Sequence, residues 1–332
     1  MTAPNGIATA ITDLFGTRLP IVAGGLQWLA NARYVSAAAK AGIMGFITAA
    51  SFADLDDLRR EIRLCRDLCE GAPFGVNVSM LPKLVQGERT DAVFDLVIEE
   101  GVRFVETSGR SPEAYLPKLK IAGIKVLHKV PAVRYAVKAE QIGVDAVTIV
   151  GAECGGHPGL DMIGSFVQGR MAADRLTIPY LIGGGVGTGA QIAAALALGA
   201  AGVVIGTRFL VADEIWAHGD FKEKLIVARE TDTALILHSL RNTMRVLANE
   251  TSEKVQAIEQ AGNGSLETLL PLVAGRIGRA AYETGDWRNG ALSVGQAVTF
   301  VDRREPLARI VARLEEEMRA SLARLSGIVA RA

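Results

Sequence analysis

The sequence predicts an α/β fold: a (β/α)8 barrel of the TIM type with a helical insert after strand eight. Three observations predict it. Short β-rich runs alternate with helical stretches along the first two-thirds of the 332 residues, at a spacing of roughly 25 residues, which is the arithmetic of eight strand–helix units. The strands are continuous apolar runs, as expected when both faces of a parallel sheet are buried. Glycine is abundant, with 36 in the chain, which suits many strand-to-helix turns.

The strands are read in order at PIVAGG (20–25), GFITAA (45–50), FGVNVS (74–79), RFVETS (103–108), KVLHKV (125–130), AVTIVG (146–151), PYLIGG (179–184) and GVVIGT (202–207). Between them, ARYVSAAAKAG, LDDLRREIRLCRDLC, VRYAVKAEQIG and AQIAAALALGA carry apolar residues at helical spacing, and several end in glycine. From residue 212 the pattern changes. FKEKLIVARE, SEKVQAIEQAG and LETLLPLVAGRIGRAAYETG read as helices with no strand between them, and the segment from Glu305 reads as one long amphipathic helix. The expected division is therefore a barrel over 1–211, a helical insert over 212–304 covering the active site, and a C-terminal helix over 305–332 packing back on the barrel.

The bulk composition excludes several classes. With 36 basic and 36 acidic residues, the balanced charge gives no reason to expect nucleic acid or an acidic membrane surface as a partner. The three cysteines point to a reducing compartment and a cytoplasmic location, and Cys65 and Cys69 are expected to pack on one helix face. The first residues lack the basic start and apolar core of a signal peptide, and no apolar run is long enough to span a bilayer. No metal cluster is expected.

In such barrels the chemistry sits at the C-terminal ends of the strands. There the sequence places Gln27 and Trp28 after strand one, Asn77 and Ser79 on strand three, and Glu106 and Ser108 on strand four. His128 and Lys129 follow on strand five, and Glu153, Cys154 and His157 after strand six. GGGVGTG and GTRF then close strands seven and eight. Backbone N–H groups in such turns cradle phosphate, so Thr207 and the main chain of Gly184, Gly185 and Gly206 are the expected contacts. The spacing of Gly185, Gly187 and Ala190 also fits a dinucleotide fingerprint, but that motif belongs on a first strand and six strands precede this one. Lys129 can stabilise negative charge on a reduced flavin or form a Schiff base. The amides of Gln27 and Asn77 suit a flat heteroaromatic ring. His157, in a glycine turn, looks presented to a ligand, with a pKa suited to proton transfer.

GGLQW, FGVN followed by MLP, HK before V, GAECGGHPG, IGGG, IGTRF and SLRNTMRV, in this order over nearly the whole chain, resemble the nitronate monooxygenase family of FMN-dependent barrel oxidoreductases. The resemblance implies FMN as cofactor and His157 as the catalytic histidine. It places flavin contacts on Gly25, Leu26, Gln27, Ser79, Lys129, Gly155, Gly184, Gly185, Gly206 and Thr207. Val150 and Gly183 stand where some relatives carry a carboxylate and a serine. Glu153 is expected to orient the loop, and Cys154 to pack. Substrate contacts are expected at Asn77, His238 and Arg241. In a helical reading of HSLRNTMRV, Arg241 and Arg245 share a face, as do His238 and Asn242; the arginines either receive an anionic substrate or nicotinamide dinucleotide, or pair with acids such as Glu214 or Glu250. The expected activity is oxidation of alkyl nitronates to carbonyl compounds and nitrite with O2. The alternative is NAD(P)H-dependent reduction of quinones or enoyl thioesters on the same fold. The expected partners are a small-molecule substrate, NAD(P)H in the second case, and a second copy in a homodimer.

Overall fold

A computed structural model describes residues 6–80 and 89–329. Helix α1 (Ala10–Phe15) precedes β1 (Ile21–Ala23). Then follow α2 (Ala32–Lys40), β2 (Met44–Thr48), α3 (Leu55–Cys69), β3 (Gly75–Met80), α4 (Thr90–Glu99), β4 (Phe104–Gly109), α5 (Leu116–Ile121) and β5 (Lys125–Val130). The barrel is completed by α6 (Val133–Gln141), β6 (Ala146–Val150), α7 (Ser165–Ala173), β7 (Tyr180–Gly183), α8 (Gly189–Ala197) and β8 (Gly202–Ile205). All eight strands pair in parallel and in sequence order, and β8 closes on β1 through Val204↔Val22. All eight barrel strands fall where the apolar runs predict them.

The strand period of two sorts the residues into an inner and an outer set. Val22, Met44, Phe46, Phe104, Leu127, Ala146, Leu181 and Val204 meet inside the barrel as one apolar cluster. Gly75 belongs to this layer too: a Cβ there would come within 2.6 Å of the Phe46 ring, so the missing side chain makes room for an aromatic. Helix α1 plugs the lower end. Its Phe15 ring lies edge-on to Phe46 and Phe104, at 6.1 and 5.3 Å between centroids. With one end filled by aromatics, a ligand has access only from the other end, where the strands run out.

After β8 the chain continues into α9 (Gly219–Ile226), an antiparallel hairpin of β9 (Thr233–Ile236) and β10 (Met244–Leu247), then α10 (Glu250–Gln260), α11 (Leu266–Val273) and α12 (Gly275–Thr284). The hairpin corrects the purely helical expectation for this segment. Four-residue strands leave too short a pattern to read against the helices around them. The segment has its own small core, with Ile236, Leu237, Val246, Val255 and Leu269 buried together. It leaves and rejoins the barrel at one point, where Ala212 and Glu305 form a bridge. The chain ends in α13 (Leu307–Val329), which lays Leu307, Ile310, Val311, Leu314 and Met318 against the barrel helices. Gly189 at the start of α8 lets α13 approach, since a Cβ there would sit 2.2 Å from the Leu314 carbonyl oxygen. Among the described residues no helix is long and apolar enough to cross a membrane.

Candidate active site

Above the apolar layer the same inward positions turn polar. Asn77 pairs with Glu106 across β3 and β4, and Lys129 pairs with Thr148 across β5 and β6. Asn77 Nδ2 donates to Glu106 Oε2 at 2.5 Å, and Lys129 Nζ donates to the same oxygen at 3.3 Å. Glu106 is fully buried, and its other oxygen, Oε1, has no partner among the described residues. A carboxylate is tolerated here because a cation and an amide face it. Ser79 sits one step higher, exposed, with its hydroxyl 3.2 Å from Asn77 Oδ1 and 3.1 Å from Ser108 Oγ. His128 is not part of this set. As the neighbour of an inward residue it points outward into the helix layer, where Thr107 Oγ1 lies 2.8 Å from Nδ1. Burial there pushes its pKa down to about 4.

The turn after β6 carries His157. Gly156 and Gly159 have φ of +84°, a conformation other residues rarely adopt. Gly155 lies so close to Gly295 that a Cβ on it would be 2.7 Å from the Gly295 nitrogen. Three neighbours fix the turn. Gln296 N–H donates to the Glu153 carbonyl at 2.9 Å, and Gly156 and Arg245 exchange two backbone hydrogen bonds at 3.0 and 2.6 Å. Ser165 N–H donates to both Glu153 carboxylate oxygens at 3.1 Å. Glu153 thus ties the turn to α7. Cys154 is buried, and burial pushes its thiol up to about 12, which fits packing and not nucleophilic attack.

His157 itself is exposed at the rim. Its Nε2 lies 3.3 Å from Asn242 Nδ2. In this contact the imidazole tautomer and the turn of the Asn242 amide set each other's donor and acceptor roles. The protein packed around the ring lowers its pKa by desolvation. The ring is therefore a neutral group with an acceptor nitrogen at the barrel mouth.

The turns after β7 and β8 form the third part. Gly184 and Gly185 adopt φ of +90° and +75° in succession, and a Cβ on Gly184 would lie 3.0 Å from both the Cys154 side chain and the Gly151 carbonyl oxygen. Glycine at both positions permits this turn and lets the backbone come close to a ligand. Thr207 Oγ1 accepts the Gly295 N–H at 2.9 Å, which leaves its own proton free to donate. Beside Gly206, among the described residues, only Leu26 approaches, its Cδ2 lying 3.4 Å from the point a Cβ would occupy.

The expected substrate residues separate. Asn77 is buried in the polar layer. His238 and Arg241 lie in the turn between β9 and β10, not on a helix, so the expected i, i+4 relations of Arg241 with Arg245 and of His238 with Asn242 are lost. Both are exposed, and His238 Nδ1 faces Thr243 Oγ1 at 3.2 Å. Arg245 is on β10 and buried. Its guanidinium donates to the Ala152 carbonyl at 3.0 and 3.2 Å and to Thr233 Oγ1 at 3.0 Å, and to neither Glu214 nor Glu250. Gln27 is exposed, with its amide turned toward Gly275 on α12. Glu106, already placed at the end of strand four, and Asn242 join the expected contacts in the site. Period-two counting from Asn77 across the paired strands points to Glu106. Asn242 has no local signal, because its meeting with His157 depends on how the hairpin docks.

A family model described as nitronate monooxygenase matches residues 8–317. The chain is 32% identical over 259 residues to a (3aS,4S,5R,7aS)-5-hydroxy-7a-methyl-1-oxo-octahydro-1H-indene-4-carboxyl-CoA dehydrogenase of Rhodococcus jostii, which covers 77% of this chain and 69% of that one. Among solved structures, FabK from Thermotoga maritima superposes with a TM-score of 0.87 at 32% identity, covering 97% of this chain and 99% of its own. A nitroalkane oxidase from Streptomyces ansochromogenes superposes with a TM-score of 0.81 at 26% identity, covering 95% and 99%.

Proposed function

The chain belongs to the nitronate monooxygenase family, and from that premise we propose that it is an FMN-dependent oxidoreductase that converts alkyl nitronates to carbonyl compounds and nitrite with O2. The observation that carries this reading is the neutral imidazole of His157, held by Asn242, at the mouth of a barrel whose top layer contains Lys129 and Glu106.

The residues fit the cofactor. Lys129 Nζ makes one long hydrogen bond, at 3.3 Å, and so has protons left for a ring oxygen or nitrogen, and Glu106 Oε1 is buried without a donor among the described residues. The main chain of Gly184, Gly185 and Gly206 with the Thr207 hydroxyl would hold the single phosphate. Gly25, Leu26, Gln27, Ser79 and Gly155 would border the ring. When bound, FMN supplies the electron acceptor and the centre at which O2 is used.

The remaining chemistry belongs to side chains. The unprotonated ring nitrogen of His157 accepts the proton from the carbon beside the nitro group when the substrate arrives as a neutral nitroalkane. Asn242, beside Nε2, orients the ring. The Lys129 ammonium favours negative charge on a ring above it. The turn around Gly155–Gly159, closed by Gln296 and Arg245, holds His157 at the barrel mouth. His238 and Arg241, exposed in the turn between β9 and β10, would contact the substrate, while Asn77, buried beside Glu106, would lie beneath the ring.

A second reading is reduction of quinones or enoyl thioesters by NAD(P)H. It is favoured by the 32% identity to a dehydrogenase named for a CoA thioester, and by the exposed Arg241 next to Asn242. Anaerobic mixing separates the two. Bleaching of the flavin by an alkyl nitronate and not by NADH or NADPH is expected from the first reading, and the reverse result replaces it with the second.

A further inference from the structure

Glu106 stands inside the barrel on β4, fully buried. A carboxylate in that place is costly to desolvate, and an amide of the same shape would accept the Asn77 hydrogen bond without that cost. Its charge is explained by what it faces. Among the described residues Glu106 has a single ion-pair partner, the Lys129 ammonium, 3.3 Å from Oε2. Glu100 gives the contrast, since its carboxylate in the helix layer is shared by Arg59, Arg63 and Arg66. Strand register shows what the pair does to the lysine. Lys129 pairs with Ser108, and Glu106 with Leu127, so the carboxylate lies two residues nearer the filled end of the barrel than the Lys129 backbone. The lysine side chain therefore leans back toward the apolar layer and not straight into the mouth, with 24% of it still exposed.

Two simpler roles do not account for this arrangement. Glu106 cannot take a proton from a substrate in the mouth, because none of its surface is accessible there. Nor is it needed to join its strand to the next, since β4 and β5 already pair from Phe104↔Lys125 to Ser108↔Lys129. What remains is electrostatic. A cation beside the ring favours the negative charge of a reduced flavin. A carboxylate 3.3 Å from that cation cancels part of its field and fixes the depth at which it lies.

We propose that Glu106 is a positioning residue that acts through Lys129 and sets the reduction potential of the flavin, by attenuating the lysine charge and holding the ammonium below the ring. The inference rests on the FMN reading above and not on which donor reduces the flavin. It makes the potential lower than Lys129 alone would give.

Anaerobic titration of the flavin-loaded protein against a reference dye, at one pH, reads the midpoint potential without turnover. Glu106→Gln keeps the shape and removes the charge. At a fixed ambient potential it should raise the ratio of reduced to oxidised flavin about tenfold, which is about 30 mV for a two-electron couple. Glu106→Asp keeps the charge and withdraws it by one methylene, so a smaller rise, about threefold, is expected, and this variant carries the test where the glutamine variant does not hold flavin. In the Lys129→Met background, Glu106→Gln should leave the ratio within about twofold, because no ammonium remains for the carboxylate to attenuate. An unchanged or lowered potential in both single variants overturns the proposal and leaves Glu106 a structural role, which a loss of melting temperature alone would report. A full tenfold rise in the Lys129→Met background also overturns it, since the carboxylate would then act on the ring directly. A protein that takes up no FMN overturns the flavin reading together with this inference. A bound flavin whose potential ignores Glu106 overturns this inference alone.

Discussion

His157 and Lys129 take their chemistry from what packs around them. Desolvation disfavours the imidazolium, so the His157 pKa lies below the ordinary histidine value, and the ring is a competent base at every pH above it. For a neutral nitroalkane, kcat/KM should therefore rise with pH and level off below the pH at which a free histidine finishes titrating. His157→Asn should keep the flavin, remove that limb and slow reduction by the nitroalkane roughly 10²–10⁴-fold, the usual contribution of a positioned base. Reduction by the preformed nitronate should fall less, because its proton is already gone. Stopped-flow reduction with both substrates measures the contrast, and equal losses would make His157 a binding residue only. For Lys129→Met, loss of the cation should lower the flavin midpoint potential by an amount worth about 1–3 kcal/mol. The same change strips the buried Glu106 of its ion pair, which costs about 3–5 kcal/mol of stability. The double variant Lys129→Met, Glu106→Gln should recover much of the melting temperature and none of the potential. A single variant with unchanged potential and full flavin content would show that Lys129 does not face the ring.

Helices and turns meet at glycines where backbones must touch. Gly189 opens α8 under the capping hydroxyl of Thr188 and also admits α13. Gly189→Ala would set a methyl group 2.2 Å from the Leu314 carbonyl oxygen and 2.3 Å from the Met318 nitrogen, so one helix must move. Overpacking of this kind costs typically about 1–3 kcal/mol. Chemical denaturation should show a loss in that range, and a fully stable variant would mean that α13 slides without cost. The hairpin works differently. Arg245 holds it down through carbonyl and hydroxyl oxygens, and the tip then reaches His157. An arginine spent on carbonyls and a hydroxyl has no acidic partner to betray it in the sequence, which is why its role is read from the docked strands.

As a whole, the protein is a barrel filled with aromatics below and polar groups above, and its stability depends on pH through a group outside the site. His128 titrates near 6.5 when unfolded and at about 4 when folded. The unfolded chain takes up the proton first as pH falls. The stability contribution is therefore complete above about pH 6.5 and is lost progressively down to about pH 4, by about 3 kcal/mol. Urea unfolding at pH 7 and pH 4.5 should show a larger drop for the wild type than for His128→Gln. Equal drops would assign the acid sensitivity to other groups.

The eight barrel strands, their order and the turns that carry Gly184, Gly185, Gly206 and His157 were legible in the sequence, because apolar period and glycine placement are local properties of a few consecutive residues. Asn77, Ser79 and Lys129 could be placed at strand ends for the same reason. Which of two adjacent polar residues faces inward, Lys129 or His128, follows from strand register, and a one-residue slip would exchange them. The partner of His157 and the burial of Arg245 were decided only by tertiary structure. Each joins segments tens of residues apart, Asn242 to His157 and Arg245 to Ala152, and no local pattern records a contact made by docking one packed body on another.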